Sequence, residues 1–260
     1  MEEYGNIYDL QWNPQEYLRQ YYSQDFIPDD EEAIYQRVIA YLQSKGRTFT
    51  RALEFGCGPT VHHLTPLMPW VEEIHLADYL SANLQEVGKW LWAEPDAHDW
   101  DINIRRALEI ETQSEITKEA IEARKELIRS KVTALKPCDA RRAQPLGDGA
   151  VYDLVFSAYC VDAATDSKQE WRQLMSNLLR LCADDGVAII VTSHKAQHYL
   201  VGSQNFPFAN IDECDLSDVL VAAEFQVTLE TVTIKDWTEA GFDGIVIAIA
   251  EKAIAGEERG

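Results

Sequence analysis

The sequence predicts an α/β protein built on a doubly wound sheet. Three observations carry that expectation. Short apolar runs alternate with helical stretches from about residue 51 onward, the rhythm that strand–helix–strand units produce. A glycine turn, Gly56-Cys57-Gly58, follows the first run directly. An acid, Asp78, closes the second run about twenty residues later. With 260 residues, 46% of them hydrophobic, the chain can bury roughly 70–75% of its unfolded surface without staples. One domain spanning residues 1–260 is expected.

The elements follow in order. The first thirty or so residues are aromatic and irregular, with Tyr4, Tyr8, Trp12, Tyr17, Tyr21 and Tyr22. Asn13-Pro14 reads as a cap and first-turn proline opening a short helix. Residues 1–28 as a group suit a lid. A cleaner helix starts at Asp29-Asp30, carries Ile34, Val38 and Leu42 at four-residue spacing, and stops at Gly46. Strands are expected at 51–56, 73–78 and 151–157, with a further one ending near Cys138. Ser167 caps a helix with Trp171, Leu174, Met175 and Leu178 on one face. Asp185-Gly186 turns the chain into 187–192, an apolar run suited to a strand buried on both faces. Runs at 226–233 and 244–250 have no long helix between them, which points to an antiparallel end of the sheet. Residues 96–133 are highly charged and helix-prone and read as a solvated helical insertion on the periphery.

Charge and cysteine usage narrow the partners. The chain carries 44 Asp plus Glu against 23 Lys plus Arg, a formal charge of −21. That balance argues against nucleic acid, whose phosphates need a concentrated basic surface. It also argues against anionic membranes, which recruit basic helices. The opening Met-Glu-Glu-Tyr-Gly-Asn has neither the basic nor the apolar region of a signal peptide, and no run approaches the length of a membrane span. Cys57, Cys138, Cys160, Cys182 and Cys214 are odd in number and lack a Cys-x-x-Cys pair, so neither a disulfide framework nor a zinc site is expected. The expectation is a cytoplasmic protein with free thiols.

The sharpest local signal is Glu54-Phe55-Gly56-Cys57-Gly58-Pro59-Thr60. Two glycines spaced i and i+2 let the backbone turn sharply and approach a ligand without Cβ obstruction. Asp78 can accept hydrogen bonds from a ribose diol. The third glycine of the dinucleotide fingerprint is missing, because Val61 stands there, so pyrophosphate binding is disfavoured. Glu54, two positions before the first glycine, suits a cation better than a phosphate. The pattern therefore fits the nucleoside and amino-acid ends of S-adenosylmethionine. Asn83 follows Asp78, and Cys138-Asp139 places a third acid at the carboxyl edge of the sheet, where open α/β sheets bind ligands.

With these residues in register, the chain resembles the nicotinamide, phenylethanolamine and thioether S-methyltransferase group of small-molecule methyltransferases. The resemblance runs from about Trp12 to Lys252. It is carried by Asn13-Pro14-x-x-Tyr17-Leu18-x-x-Tyr21-Tyr22, Gly56-x-Gly58-Pro59-Thr60, Asp78-Tyr79 through Glu86, and Lys89-Trp90-Leu91-x-x-Glu94-Pro95-x-x-x-Asp99-Trp100. Ser157-x-x-Cys160-x-Asp162-Ala163-Ala164 and Tyr199-x-x-Gly202 complete it. The resemblance implies a Rossmann-like class I methyltransferase: a mostly parallel seven-stranded sheet with an antiparallel last strand, helices on both faces and an N-terminal helical lid. It implies S-adenosylmethionine as cofactor, S-adenosylhomocysteine as product, no metal, and a monomer.

Residue roles also come from the resemblance. Tyr17 and Tyr22 would close over the cofactor. Glu54, Gly56, Gly58 and Thr60 would border its methionine part. Asp78, Tyr79 and Asn83 would border the ribose, and Cys138, Asp139 and Ala140 the adenine. Ala158 and Tyr159 would lie beneath the sulfonium, where the acceptor arrives. The acceptor pocket departs from the relatives. Thr192 stands where nicotinamide enzymes have an Asp, and Ala196 where they have a Ser and phenylethanolamine enzymes a Glu, so nicotinamide is not expected. Asp162 and Tyr199 remain as catalytic candidates, with Tyr17, Tyr159, His198, Phe208, Trp237 and Asp243 completing the pocket. The expected reaction is N-methylation of a small amine or N-heterocycle. Two other readings stay open: transfer to sulfur, selenium or oxygen of a small acceptor, and a binding module without turnover.

Overall fold

The computed structural model describes residues 3–234 and 244–252. Two N-terminal helices come first, α1 (Glu3–Gln11) and α2 (Pro14–Tyr21). Asn13 caps α2 by accepting from Glu16 N at 3.0 Å, and Pro14 sits in the first turn, where its missing N–H costs nothing. Helix α3 (Asp29–Lys45) ends at Gly46, whose φ of 60° terminates it in the left-handed conformation.

The sheet then forms from β1 (Phe49–Phe55), β2 (Val71–Asp78), β3 (Val132–Pro137), β4 (Tyr152–Ala158), β5 (Cys182–Ser193), β8 (Phe225–Thr233) and β9 (Gly244–Lys252). Their order is β3-β2-β1-β4-β5-β9-β8. The first five are mutually parallel, and β9 runs antiparallel to both β5 and β8. The seven-stranded, mostly parallel sheet with its antiparallel last strand is therefore present. Residues 187–191 pair on both sides and 187–192 are all buried, which is why they read as a continuous apolar run.

Two buried clusters occupy the two faces of the sheet. One gathers Ile34, Val38, Leu42, Leu76, Trp90, Trp100 and Ile189; the other gathers Trp171, Leu174, Leu178, Ile190, Leu216 and Ala248. Neighbours in β5, Ile189 and Ile190, fall in opposite clusters because strand side chains alternate. Helix α4 (Ser81–Leu91) follows β2, and α7 (Lys168–Leu179) precedes β5. Residues 101–112 and 118–131 are helices α5 (Asp101–Thr112) and α6 (Lys118–Lys131), with Ile104, Leu108, Ile121 and Ile128 buried in the first cluster. Their charged faces point outward while one face of each belongs to the core.

Three elements have little local signal. Helix α1 has no apolar stripe; Tyr8 holds it against a small hairpin of β6 (His198–Val201) and β7 (Gln204–Pro207), its ring 4.8 Å from Phe206. The hairpin strands are four residues each, too short to show a pattern. Helix α8 (Glu213–Ala222) is announced only by a capping box between Asp212 and Asp215. The hairpin, α1, α2 and the start of α3 roof the carboxyl edge of β1–β4, and that edge holds the site. Among the described residues no helix is long and apolar enough to cross a membrane.

Candidate active site

The turn after β1 sets the floor. Gly56 N and Cys57 N both donate to Ala77 O, at 2.7 and 3.0 Å, pinning the turn to β2. Gly56 and Gly58 have φ of 73° and 59°, a region that glycine enters without strain. A methyl on Gly56 would strike Cys160, whereas one on Gly58 would meet no chain atom within 4 Å. Gly58 thus borders open space, a cradle that a ligand can fill. Thr60 Oγ1 closes the loop on Cys57 O at 2.8 Å.

Asp78 is the hub beside it. Its Oδ2 accepts from Gly58 N at 2.8 Å, and its Oδ1 from Leu80 N at 2.8 Å and Asn83 Nδ2 at 3.0 Å. Burial raises the carboxyl's pKa, and these three bonds oppose the rise. Asn83 Oδ1 in turn accepts from Trp12 Nε1 at 2.7 Å, which ties the roof to the floor. Cys138 N donates to Asp78 O at 3.0 Å, and Asp139 Oδ1 accepts from Arg141 N at 2.9 Å. Ala140 follows, its carbonyl held by Asn177. Tyr79 is partly exposed and reaches Asp9 at 3.3 Å.

Aromatic rings form the roof and the far wall. Tyr17 packs 5.0 Å from Trp12 and 5.7 Å from Tyr22. Tyr8 OH donates to Ala163 O at 2.6 Å, so the 3.0 Å contact between Tyr8 and Tyr199 takes its proton from Tyr199. Burial holds the Tyr199 phenol well above its ordinary pKa; it is a wall and a donor, and a poor proton acceptor. Phe208 packs 5.0 Å from Tyr199, its ring tilted by 40°. Tyr159, at φ of 51°, aims its hydroxyl at Asp30 Oδ2, 2.9 Å away.

Asp162 is 1% exposed and lies behind this wall. Its Oδ2 accepts from Ser193 N at 2.8 Å, while Oδ1 has no protein partner. Burial is the dominant influence and pushes its pKa up to about 7. A buried carboxyl with one free oxygen and a pKa near neutrality can take up or release a proton at working pH.

A second charged cluster stands at the base of the roof. Glu31 Oε2 lies 3.1 Å from His63 Nε2, and Glu31 Oε1 lies 3.1 Å from His62 Nε2, the latter off the line of a hydrogen bond. Glu54 Oε1 is 3.5 Å from His63 Nδ1. Burial opposes the imidazolium of His63, but the flanking carboxylates of Glu31 and Glu54 outweigh it and hold the pKa up at about 10. For His62, burial and the neighbouring His63 charge win, and its pKa falls to about 4. Burial raises the Glu54 carboxyl, partly offset by His63.

Of the residues expected at the site, Tyr17, Tyr22, Gly56, Gly58, Thr60, Asp78, Tyr79, Asn83, Cys138, Asp139, Ala140, Ala158, Tyr159, Tyr199 and Phe208 border one cavity. Glu54 and Asp162 do not: Glu54 faces His63 beneath the floor, and Asp162 is buried behind the wall. Thr192 and Ala196 are buried behind the wall. His198 is exposed, because alternation along β6 turns Tyr199 and Val201 inward and His198 outward. Trp237 and Asp243 lie outside the described residues. The cavity also touches Tyr8, Trp12, Asp30, Glu31, His63 and Cys160, none of which was expected at the site. Tyr8 and Trp12 were legible as part of the aromatic segment. Asp30 and Glu31 were masked by their place in a helix first turn, where acids are common for the helix dipole.

A family profile described as NNMT/PNMT/TEMT matches residues 4–253. The chain belongs to that family. By that membership it is an S-adenosylmethionine-dependent methyltransferase. Indolethylamine N-methyltransferase of Mus musculus is 29% identical over 95% of this chain and 96% of its own length. Phenylethanolamine N-methyltransferase of Sus scrofa is 27% identical over 94% and 89%. Nicotinamide N-methyltransferase of Homo sapiens is 29% identical over 77% of each chain. Among solved structures, magnesium protoporphyrin IX methyltransferase from Synechocystis PCC 6803 with bound SAM superposes with a TM-score of 0.58 at 13% identity, over 97% of this chain and 98% of that one. A Burkholderia thailandensis 1,6-didemethyltoxoflavin-N1-methyltransferase gives 0.53 at 15%, over 96% and 90%. These two establish the shared fold.

Proposed function

We propose that the protein transfers a methyl group from S-adenosylmethionine to the nitrogen of a small amine or N-heterocycle other than nicotinamide. The observation that carries this reading is the cavity at the carboxyl edge of the sheet, walled by Tyr159, Tyr199 and Phe208, with the Asp162 carboxyl buried between the lining residues Val161 and Ala163 and one of its oxygens unpartnered. From behind the wall such a carboxyl favours positive charge in the cavity and can take the nitrogen's proton through a bridging water. The cofactor, when bound, supplies an electrophilic methyl on a sulfonium. Gly58 leaves room for its methionine part, Asp78 and Asn83 have lone pairs left for ribose hydroxyls, and Asp139 stands at the expected adenine end. Tyr17 and Tyr22 exclude water from above, and Tyr159 and Tyr199 narrow the approach to one side. Alignment of nucleophile and methyl within about 3 Å supplies much of the rate in such an in-line displacement. Thr192 and Ala196 leave the nicotinamide carboxamide without its handles, which supports excluding that acceptor.

A screen of arylalkylamines, N-heterocycles and thioethers with labelled S-adenosylmethionine tests the reading. N-methyl product, with KM for an amine rising strongly in Asp162→Ala, is expected. Product from thioethers alone would overturn it.

A further inference from the structure

Glu31, His62 and His63 form a cluster that the methyl-transfer reading leaves unused. Each is buried, and one carboxylate or ring-nitrogen atom from each lies within 4.8 Å of the others. The residues come from different elements: Glu31 from the first turn of α3, His62 and His63 from a short 3₁₀ turn four residues after Gly58. A single carboxylate faces two imidazole Nε2 atoms at 3.1 Å each. The distances suit two hydrogen bonds, and they also suit ligands sharing one small cation, whose donors stand on the order of 3 Å apart around bonds of about 2.1 Å.

Unpartnered atoms decide between these. His62 is 0% exposed, yet neither of its ring nitrogens has a hydrogen-bond partner, and Glu54 Oε2, also buried, has none. An imidazole sealed from water with its Nε2 aimed at an oxygen but off the hydrogen-bond line is costly as it stands. A cation bonded to Nε2 removes that cost, and its binding releases the proton from His63 Nε2 to solvent, leaving His63 a neutral ligand. Behind the cluster, Glu54 Oε1 is 3.5 Å from His63 Nδ1, the carboxylate–histidine arrangement that orients metal-bound imidazoles. His62 is held from the other side by Trp100, stacked at 4.8 Å and 11°. Two carboxylates are present, so a dication is neutralised locally. Glu31 and His63 both border the cavity, giving the ion an entry path and a coordination position on the cavity side.

We infer that Glu31, His62 and His63 form a binding site for a divalent transition metal of the zinc class. Two imidazoles with one carboxylate are a borderline donor set that suits Zn²⁺, Co²⁺ and Fe²⁺ and disfavours Mg²⁺ and Ca²⁺, which prefer oxygen cages. The site ties the base of the roof to the turn beyond the glycine loop. It rests on this chain's own residues and stands or falls independently of which acceptor is methylated.

The test is a Co²⁺ titration of tag-free, chelator-stripped full-length protein, read by visible absorption. Expected are saturation at one equivalent, displacement by Zn²⁺, and loss of the signal in His62→Asn and Glu31→Gln. Glu54→Gln, at the carboxylate that faces His63 Nδ1, should weaken binding about 10–100-fold. X-ray absorption of the zinc-loaded wild-type chain needs no variant and should show two imidazoles with oxygen. An oxygen-only shell, sulfur ligation, or binding undiminished in a folded His62→Asn protein would overturn the proposal and leave a metal-free ion triad. Calorimetry with S-adenosylmethionine on the same stripped sample keeps this failure distinct from failure of the methyltransferase site.

Discussion

Alanine at Gly56 and alanine at Gly58 should fail in opposite ways. Both residues have left-handed backbones, so each substitution carries about 1–2 kcal/mol of strain. At Gly56 the new Cβ would stand 2.0 Å from Cys160 Sγ and 2.5 Å from Cys160 Cβ. Overpacking of that kind adds about 1–3 kcal/mol. Gly56→Ala should therefore cost about 2–5 kcal/mol, lowering Tm by roughly 5–15 °C at the usual scaling for this size. At Gly58 nothing lies within 4 Å, so only the strain remains, but the methyl enters the cavity. Thermal and urea unfolding should rank Gly56→Ala as the less stable protein, and cofactor calorimetry should rank Gly58→Ala as the weaker binder. Adding Cys160→Gly to Gly56→Ala removes the colliding atoms and should show a coupling of about 1–3 kcal/mol. Equal destabilisation by the two alanines, or no coupling to Cys160, would refute the reasoning.

Asp162 should make stability depend on pH. Its folded pKa is raised to about 7 from the ordinary aspartate value of 3.8, so between those values the folded state holds a proton that the unfolded chain has released. Stability from this group is present below about pH 4 and lost as pH rises towards 7. Asp162→Asn, which keeps an oxygen for Ser193 N, should gain on wild type by up to about 4 kcal/mol between pH 4 and 8 in urea melts; a flat difference would count against the burial argument. Asp78→Asn puts an amide where Gly58 N, Leu80 N and Asn83 Nδ2 all donate, and should weaken cofactor binding at least about 10-fold by calorimetry. Trp12→Phe keeps the ring but loses the bond to Asn83; a loss of about 1 kcal/mol should raise the cofactor KM about 5-fold with little change in Tm.

The parallel sheet and its cofactor edge were legible because their signals are local. A buried strand such as 187–192 has no polar face to interrupt it, and Gly56-Cys57-Gly58 with Asp78 is spaced by one strand–helix–strand unit. The helical lid was visible in Asn13-Pro14 and the tyrosines. The small hairpin was not, since strands of four residues are too short to show a period. The resemblance put both His198 and Tyr199 in the pocket, and alternation along β6 sends the two to opposite sides. Cysteine spacing has no bearing on His62-His63 and Glu31, which stand about thirty residues apart in sequence and meet only in the fold.

What the sequence determined by itself is the fold class, the glycine loop, the acids along the sheet edge, and through them the cofactor chemistry. Tertiary structure decided which side chains share a cavity. It turned Glu54 from the cofactor to His63, set Asp162 behind an aromatic wall with a pKa near neutrality, and brought Glu31 to two histidines from another element. The physical reason is that backbone conformation is specified within a few residues. Burial, and with it the charge and hydrogen-bonding state of a side chain, is specified only by what the rest of the chain packs against it.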